Sequence, residues 1–494
     1  MHDKWKCGLS MLGGALALGV AADLLLRQMP WGLNVFLWAA LFVVVILLAS
    51  YRHRLPLAGG GRWLLLGMLG FAAAVAWRDS PTLKICNLLA IVCSLPIIML
   101  RGRFGDIRNL GIVQAALCFG VALLNIVIGP VLLIYCDLPW RTDLSDSYKR
   151  SGAAVLRGIV IAIPLLLAFV TLFVAADARF AEIIKQLCHL DAAAFLNHGL
   201  LVLACAWAAG GFIRGTLIRE DANLMTIEQP DWLHIGFVEI SIVLASINTL
   251  FLFFVCVQAT YFFGGQSHVI ATAGLTAADY ARRGFFELVT VAGLVLPLLL
   301  IAEALLREDN TRGWKWFRAL ASVLILLTFL VMASAVQRMA LYHIGFGMTE
   351  LRFYTTAFMG WLALAFLWYG ATVLRRRREI FVFGAVVSAF ACLAVLNIVN
   401  PDSVIVRVNA ARLAQHRSFD ADYAGSLSAD AVPELIQVLP RLSDSDRHKL
   451  ADLMCKRWIE PRADDWRVWS VDRAAANAAA KRSAQTILTF AGRN

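Results

Sequence analysis

The chain has 494 residues, of which 60% are hydrophobic and 16% are charged, and its mean hydropathy is +0.71. Soluble domains are about 45–50% apolar and about a quarter charged, so this composition excludes a disordered protein, a soluble enzyme and a secreted disulfide scaffold. The sequence therefore predicts an all-α, polytopic membrane protein.

Twelve apolar runs follow one another along the chain. A helix needs about 20 mostly apolar residues to cross the hydrocarbon core, and most of the runs approach or exceed that length. The runs are Leu9–Leu26, Trp31–Ser50, Trp63–Trp77, Leu83–Leu100, Gly111–Tyr135, Ala153–Ala176, Gly199–Ile218, Leu233–Phe263, Gly284–Leu306, Phe317–Tyr342, Leu351–Leu374 and Ile380–Ile398. The third run is short, and the eighth is long enough to protrude from the membrane. The pattern predicts a transmembrane helix bundle of about 12 spans.

The hydropathy changes at Asn400–Pro401, and the chain beyond that point is polar. Ser428 is placed to begin one helix, Ala431–Leu439, and Ser443 is placed to begin a second, Asp444–Trp458. We expect a small helical soluble domain that packs against the membrane part, because it is too small for a large core of its own. The predicted regions are an N-terminal transmembrane part at 1–152, a transmembrane core at 153–399 and the soluble helical domain at 400–494.

The net charge of +11 is distributed unevenly. Residues 400–494 hold 14 basic and 12 acidic residues, a net charge of +2, and the other 31 basic and 22 acidic residues leave +9 for the rest. This excess lies in short loops between apolar runs, where Lys and Arg set membrane topology and meet anionic lipid headgroups. The expected partner is therefore the lipid bilayer, and no nucleic acid.

The arginine-rich loops of the two halves of the chain predict opposite orientations in the membrane. Loops 307–318 and 375–378 fall on one face when all twelve runs cross, which predicts a cytoplasmic location for them and an extracytoplasmic C-terminal domain. The basic loops of the first half, around Arg54 and Arg103, fall on the opposite face. The two halves agree only if one early run does not cross the membrane or if one crossing segment has been missed.

Several separate motifs stand in order along the second half of the chain. They are Asn248–Leu252, Gln258–Gly265, Gly274–Glu287, Arg338–Tyr342, Leu351–Tyr354, Asn397–Asp402 and Leu427–Pro433. In these motifs the chain resembles a bacterial family of multi-pass membrane proteins known only as a domain of unknown function. The resemblance covers roughly the sixth run to the C terminus. It implies a bacterial cytoplasmic-membrane (inner-membrane) protein and carries over no catalytic or binding residue.

Nine polar residues near the ends of apolar runs form a candidate cluster, because a charge near the membrane usually faces a partner or a cavity. They are Glu239, Tyr280, Arg282, Arg283, Glu287, Arg338, Tyr342, Glu350 and Arg352. Most of them share one predicted face with the C-terminal domain, where Arg, Tyr and Glu side chains suit an anionic group. An interfacial belt that meets lipid phosphates is an alternative of equal weight.

Two acidic residues of this cluster carry more specific expectations. Glu287 is expected to pair with Arg282 or Arg283, or with Arg338 or Arg352 of neighbouring runs, since an acidic side chain at a membrane boundary is costly without a cation. Glu239 is expected to face the bundle interior, near Asn248 and a polar group of another run such as Arg157. There it would either take part in a proton-coupled step or form a stabilising pair.

Three classes of function stay open. The chain has no phosphate-binding loop, no esterase nucleophile motif and no zinc-protease motif, and its cysteines and histidines lack metal-ligand spacing, so no cofactor or metal is predicted. The first class is transport or export of an anionic or lipid-linked envelope substrate. The second is a membrane-embedded transferase that uses a lipid-linked donor. The third is a non-catalytic sensor or scaffold whose outer domain binds another membrane or envelope protein.

Overall fold

The computed structural model describes residues 2–54, 61–104, 112–137, 166, 192–217, 236–263, 285–306, 311–460 and 465–493. The elements in these ranges are helical. Ten of the described helices are long and apolar enough to span a membrane, and a shorter apolar helix of 17 residues, Gly61–Trp77, corresponds to the short third run. Apart from residue 166, the sixth run lies outside the described residues. The predicted all-α polytopic bundle is confirmed.

The first eleven helices hold the other eleven apolar runs. They are α1 His2–Leu26, α2 Leu33–Arg52, α3 Gly61–Trp77, α4 Pro81–Phe104, α5 Ile112–Leu132, α6 Ala192–Leu217, α7 Phe237–Phe263, α8 Phe285–Leu305, α9 Thr311–Phe346, α10 Glu350–Thr372 and α11 Phe381–Val399. The polar C-terminal chain holds six more. They are α12 Pro401–Ala411, α13 Ala421–Ser426, α14 Val432–Val438, α15 Asp444–Met454, α16 Val471–Arg482 and α17 Ala484–Phe490.

The chain divides into two compact units, each with its own core. Unit 1 comprises Met1–Asp106, Leu117–Asp221 and Arg462–Ala474. Its buried core contains Met11, Leu18, Phe42, Phe212 and Ile213. A short piece of the polar C-terminal chain thus belongs with the first helices. The predicted boundary at 152 lies outside the described residues.

Helices α1 and α6 of unit 1 pack closely and run antiparallel. Ala15 of α1 lies beside Gly210, a Cβ on Gly19 would collide with the carbonyl oxygen of Val202, and Asp23 bonds to His198 at 2.6 Å. If all twelve runs crossed the membrane, the seventh run would be parallel to the first. The antiparallel packing of α1 and α6 within unit 1 therefore differs from that expectation.

Unit 2 comprises Ile107–Ala116, Ala222–Pro461 and Ala475–Asn494. Helices α7–α11 bury one apolar cluster, and helices α12–α17 bury a second, which includes Ile405, Leu435 and Leu450. Met348 and Phe353, at the start of α10, pack against this second cluster. The expected packing of the C-terminal helices against membrane helices is therefore found within unit 2.

Both predicted serine caps are present in unit 2. The hydroxyl of Ser428 accepts a hydrogen bond from the amide of Asp430, and that of Ser443 accepts one from the amide of Asp446. Each satisfies a backbone N–H group that has no partner inside its helix. The first helix begins with a 3₁₀ turn, and the second continues past Met454 as a π-helical turn.

Candidate functional site

The C-terminal helices of unit 2 attach to α11 through Asn400. This residue adopts a left-handed conformation with φ +55°, and it is both the end of α11 and the N-cap of α12. Its side-chain oxygen accepts from the amide of Ser403 at 3.2 Å, and its side-chain nitrogen donates to the carbonyl of Asp430 at 3.1 Å. Pro401 follows at the first helical position, which suits its fixed φ. These contacts set the direction of α12 relative to α11.

Two carboxyl groups meet where α12 approaches the start of α10. Asp402 is fully buried and accepts hydrogen bonds from the amide and the hydroxyl of Ser428. The Glu350 side chain lies near the Asp402 carboxyl, and the Glu350 amide donates to the Tyr423 hydroxyl at 2.7 Å.

Tyr423 of α13 contacts the same group of residues. Burial raises the pKa of its phenol to about 12. The hydroxyl therefore remains protonated at physiological pH. It accepts from the backbone of α10 and keeps its own proton for a nearby acceptor.

The turn between α9 and α10 is fastened to α12. Asn409 accepts from the amide of Met348 at 2.7 Å and donates to the carbonyl of the same residue at 2.9 Å. Gly347 has φ +77°, and a Cβ there would overlap both Asn409 and the guanidinium of Arg412. Only glycine fits this position, because it combines a left-handed backbone with close side-chain approach.

Cationic side chains converge on this turn. We call Tyr342, His343, Arg352 and Arg412 the cationic patch. Arg352 lies over the Tyr342 ring at 3.8 Å and donates to the Gly347 carbonyl, while Arg412 donates to the Gly345 carbonyl at 2.9 Å. Both guanidinium groups therefore satisfy carbonyl groups at the C-terminal end of α9, where positive charge also complements the helix dipole.

The two arginines of the patch affect the ionisation of their neighbours. Burial lowers the pKa of His343, and the charges of Arg352 and Arg412 lower it further. Burial likewise lowers the pKa of the Arg412 guanidinium, with added effects from Arg417 and Arg352. The Nε2 atom of His343 is buried without a hydrogen-bond partner among the described residues. Such a site favours an anion, because a negative charge would relieve the repulsion among the cations.

Three members of the predicted polar cluster meet at this place, namely Tyr342, Glu350 and Arg352. Arg338 is half-buried one helical turn before Tyr342, and Glu287 is exposed in the first turn of α8. Among the described residues no ion pair joins Glu287 to Arg338 or Arg352. Tyr280, Arg282 and Arg283 lie outside the described residues.

The expectation for Glu239 is wrong. The residue lies in the first turn of α7 with an exposed side chain, whereas Ile240 and Leu244 form the buried face. Asn248 is buried, but its side-chain nitrogen donates to the carbonyl of Leu320 at 3.0 Å. Glu239 therefore contributes no interior carboxyl.

Several members of the site were not among the candidates from the sequence, including Asp402, Asn409, Arg412 and Tyr423. The signal for Asp402 was present, because an acidic residue directly after Asn400-Pro401 stands in a helical first turn. Nothing in the local pattern around Asn409 or Arg412 indicates that these residues would reach the α9–α10 turn.

A second polar cluster, which we call the ion-pair cluster, lies in unit 1 at the turn between α3 and α4. Arg78 bonds to Asp472 at 2.7 Å, and Asp79 bonds to Lys84 at 2.7 Å and to Arg473 at 3.0 Å. Arg78, Asp79 and Lys84 are buried. The cluster joins residues 394 positions apart in the chain and holds the C-terminal segment on α3 and α4.

The helices of membrane-spanning length make this chain a multi-pass integral membrane protein. Residues 64–438 match the family described as a domain of unknown function (DUF4153), and the chain belongs to that family. The match begins in α3, so it extends further toward the N terminus than the sequence motifs indicated. Comparison with curated proteins and with solved structures gives no match.

Proposed function

We propose that this protein transports or exports an anionic, lipid-linked substrate of the bacterial envelope, and that the cationic patch binds the anionic group. The observation that carries the proposal is the convergence of Arg352, Arg412 and His343 on one turn at the end of a membrane helix. Guanidinium groups bind phosphate through paired hydrogen bonds, and the aromatic ring under Arg352 holds one of them in place.

The hydrogen bonds around the patch support the same proposal. Asp402 accepts from the amide and the hydroxyl of Ser428. Arg352 and Arg412 donate to the backbone carbonyl groups of Gly347 and Gly345. These carbonyl acceptors are neutral, so the contacts hold both guanidinium groups at the turn without cancelling their positive charge.

We infer further that the protein lies in the inner membrane with its C-terminal helices on the extracytoplasmic side. In unit 1, Leu33 at the start of α2 bonds to Trp469, so Arg52 at the other end of α2 lies on the opposite face. In unit 2, α11 begins just after Arg375–Arg378 and ends at the C-terminal helices. Each unit by itself places basic loops opposite the polar C-terminal chain, and basic loops are cytoplasmic.

A pair of reporter fusions tests this orientation. A reporter that is active only in the cytoplasm should be silent when fused after Asn494. The same reporter fused after Arg378, in the basic connection between α10 and α11, should be active and serves as the control. Strong activity after Asn494 would refute the extracytoplasmic location, whatever the substrate.

Movement of a labelled lipid tests the transport proposal. The full chain is reconstituted in vesicles with fluorescent phosphatidylglycerol or phosphatidylcholine, and dithionite reports lipid that reaches the outer leaflet. We expect faster movement of phosphatidylglycerol, and a reduction of about tenfold or more in Arg352→Gln and Arg412→Gln, since a hydrogen bond to a charged group contributes about 1.5–3 kcal/mol.

The control for these variants is Arg441→Gln, which removes an exposed arginine of the C-terminal helices and should leave the rate unchanged. Equal movement of both lipids, or equal effects of all three substitutions, would contradict anion recognition by the cationic patch. Covalent change of the lipid during the assay would instead assign the protein to the transferase class.

A further inference from the structure

Residues 465–474, here called the C-terminal strap, attach to the helix ends of unit 1. The amide of Leu33 donates to the carbonyl of Trp469 at 2.8 Å, and Arg467 donates to the carbonyl of Leu24 at 2.8 Å. Asp472 and Arg473 complete the ion-pair cluster with Arg78 and Asp79. The strap is thus held at the end of α1, the start of α2 and the turn from α3 to α4.

The side chains of the strap divide between two directions. Val468 and Ser470 are buried against unit 1. Trp466, Trp469 and Val471 point outward, with 61%, 44% and 43% of their surfaces exposed. Two exposed tryptophans and a valine form an apolar face on a segment whose sequence otherwise reads as polar. Such a face usually marks a site of interaction.

The position of this face identifies what covers it. The strap lies at the ends of membrane-spanning helices, and Trp77, 39% exposed, stands at the end of α3 beside Arg78, whose guanidinium lies 4.4 Å from the ring centre. Trp31 lies in the α1–α2 connection and donates to the carbonyl of Leu26 at 2.9 Å. Tryptophans at the ends of membrane helices occupy the headgroup level of the bilayer.

We propose that the C-terminal strap is an interfacial lipid-binding segment, with Trp466, Trp469 and Val471 inserted at the headgroup level of the bilayer. The strap carries two aspartates and two arginines, and the arginines are paired with Asp465 and Asp79. It therefore has no net charge. Its attraction to the bilayer comes from aromatic and apolar burial and does not depend on anionic lipid.

This proposal is independent of any transported substrate. It gives the strap a role that the hydropathy of the C-terminal chain does not indicate. The strap begins more than 60 residues after the last apolar helix, α11. It would hold this part of the polar chain at the membrane surface.

Photo-crosslinking in the full chain tests the proposal. Benzoylphenylalanine is placed at Trp466 or at Trp469, the protein is reconstituted in phosphatidylcholine vesicles, and lipid adducts are measured by mass spectrometry after irradiation. The control position is Arg441, which is exposed on the C-terminal helices of unit 2. We expect adducts at the two strap positions at least tenfold above those at Arg441.

A second arm replaces a third of the phosphatidylcholine with phosphatidylglycerol, and the total adduct yield should change less than twofold. Absence of adducts at both strap positions, or equal yields at Arg441, would overturn the proposal. Crosslinks to a second copy of the chain instead of lipid would also overturn it. Because each probe replaces an outward-facing aromatic residue with another aromatic residue, the fold and the ion-pair cluster should survive the substitution.

Discussion

The polar C-terminal chain is attached to membrane helices at two places, one in each unit. The contacts at the two places differ in their chemistry. In unit 1 the ion-pair cluster joins Arg78 and Asp79 to Asp472 and Arg473, with three cations and two carboxylates when Lys84 is included. In unit 2 the contacts near Asp402 are helix caps and hydrogen bonds between side chains and backbone groups. The first attachment depends on charge and the second on hydrogen bonds.

This difference in chemistry predicts how each attachment responds when one of its contacts is removed. A buried ion pair has a large desolvation cost, which is repaid only while both partners are present, so removal of one partner leaves an uncompensated charge. The hydrogen bonds around Asp402 are spread over several donors, and loss of one leaves the others in place. A single substitution should therefore release the attachment in unit 1, whereas a single substitution should only weaken the attachment in unit 2.

The largest effect is expected from Asp79→Asn. This change removes the carboxylate that faces both Lys84 and Arg473, and it should destabilise the attachment of the strap by about 3–5 kcal/mol. Hydrogen exchange of the purified chain should show loss of protection in residues 465–474. The helices of unit 2 should keep their protection.

The matched control is Asp444→Asn. Asp444 also pairs with an arginine, Arg447 at 2.9 Å, but its side chain is 96% exposed. Exposed pairs contribute little, so this variant should behave as the unaltered chain. If Asp79→Asn were as mild as Asp444→Asn, the ion-pair cluster would be incidental and the contrast between the two attachments would disappear.

The fold was largely predictable because hydropathy reports burial in lipid directly. Span lengths, the short third helix and the break at Asn400 follow from composition along the chain. The antiparallel packing of α1 against α6 was not predictable, because these helices are far apart in the chain. Small residues permit that packing but do not indicate its direction.

The sites were harder to predict because they combine residues distant in sequence. Tyr342, Glu350 and Arg352 stand close together in the chain and were found, whereas Arg78 and Asp472 are 394 positions apart. The error for Glu239 has a local cause. The apolar run begins at Leu233, but the described helix begins at Phe237, so the residue lies at a helix end with its side chain exposed.

A smaller effect is expected from Ser428→Ala, which tests the attachment in unit 2. The Ser428 hydroxyl donates to the buried carboxyl of Asp402 and accepts from the amide of Asp430 at 3.2 Å. Its loss should cost about 1–3 kcal/mol, since it weakens a charge-assisted bond and removes a cap. The amide of Ser428 still donates to Asp402, so the junction should loosen without separating.

Hydrogen exchange should resolve this local loosening. Amides of α12 and α14 in Ser428→Ala should exchange about tenfold faster, because each 1.4 kcal/mol is a factor of ten in an equilibrium constant. Ser443→Ala removes an exposed cap of the same kind from α15, and it should change only that helix, by about 1 kcal/mol or less. If Ser428→Ala released α12 altogether, the attachment in unit 2 would depend on one bond. The two attachments would then differ in the type of contact, but each would be lost after a single substitution.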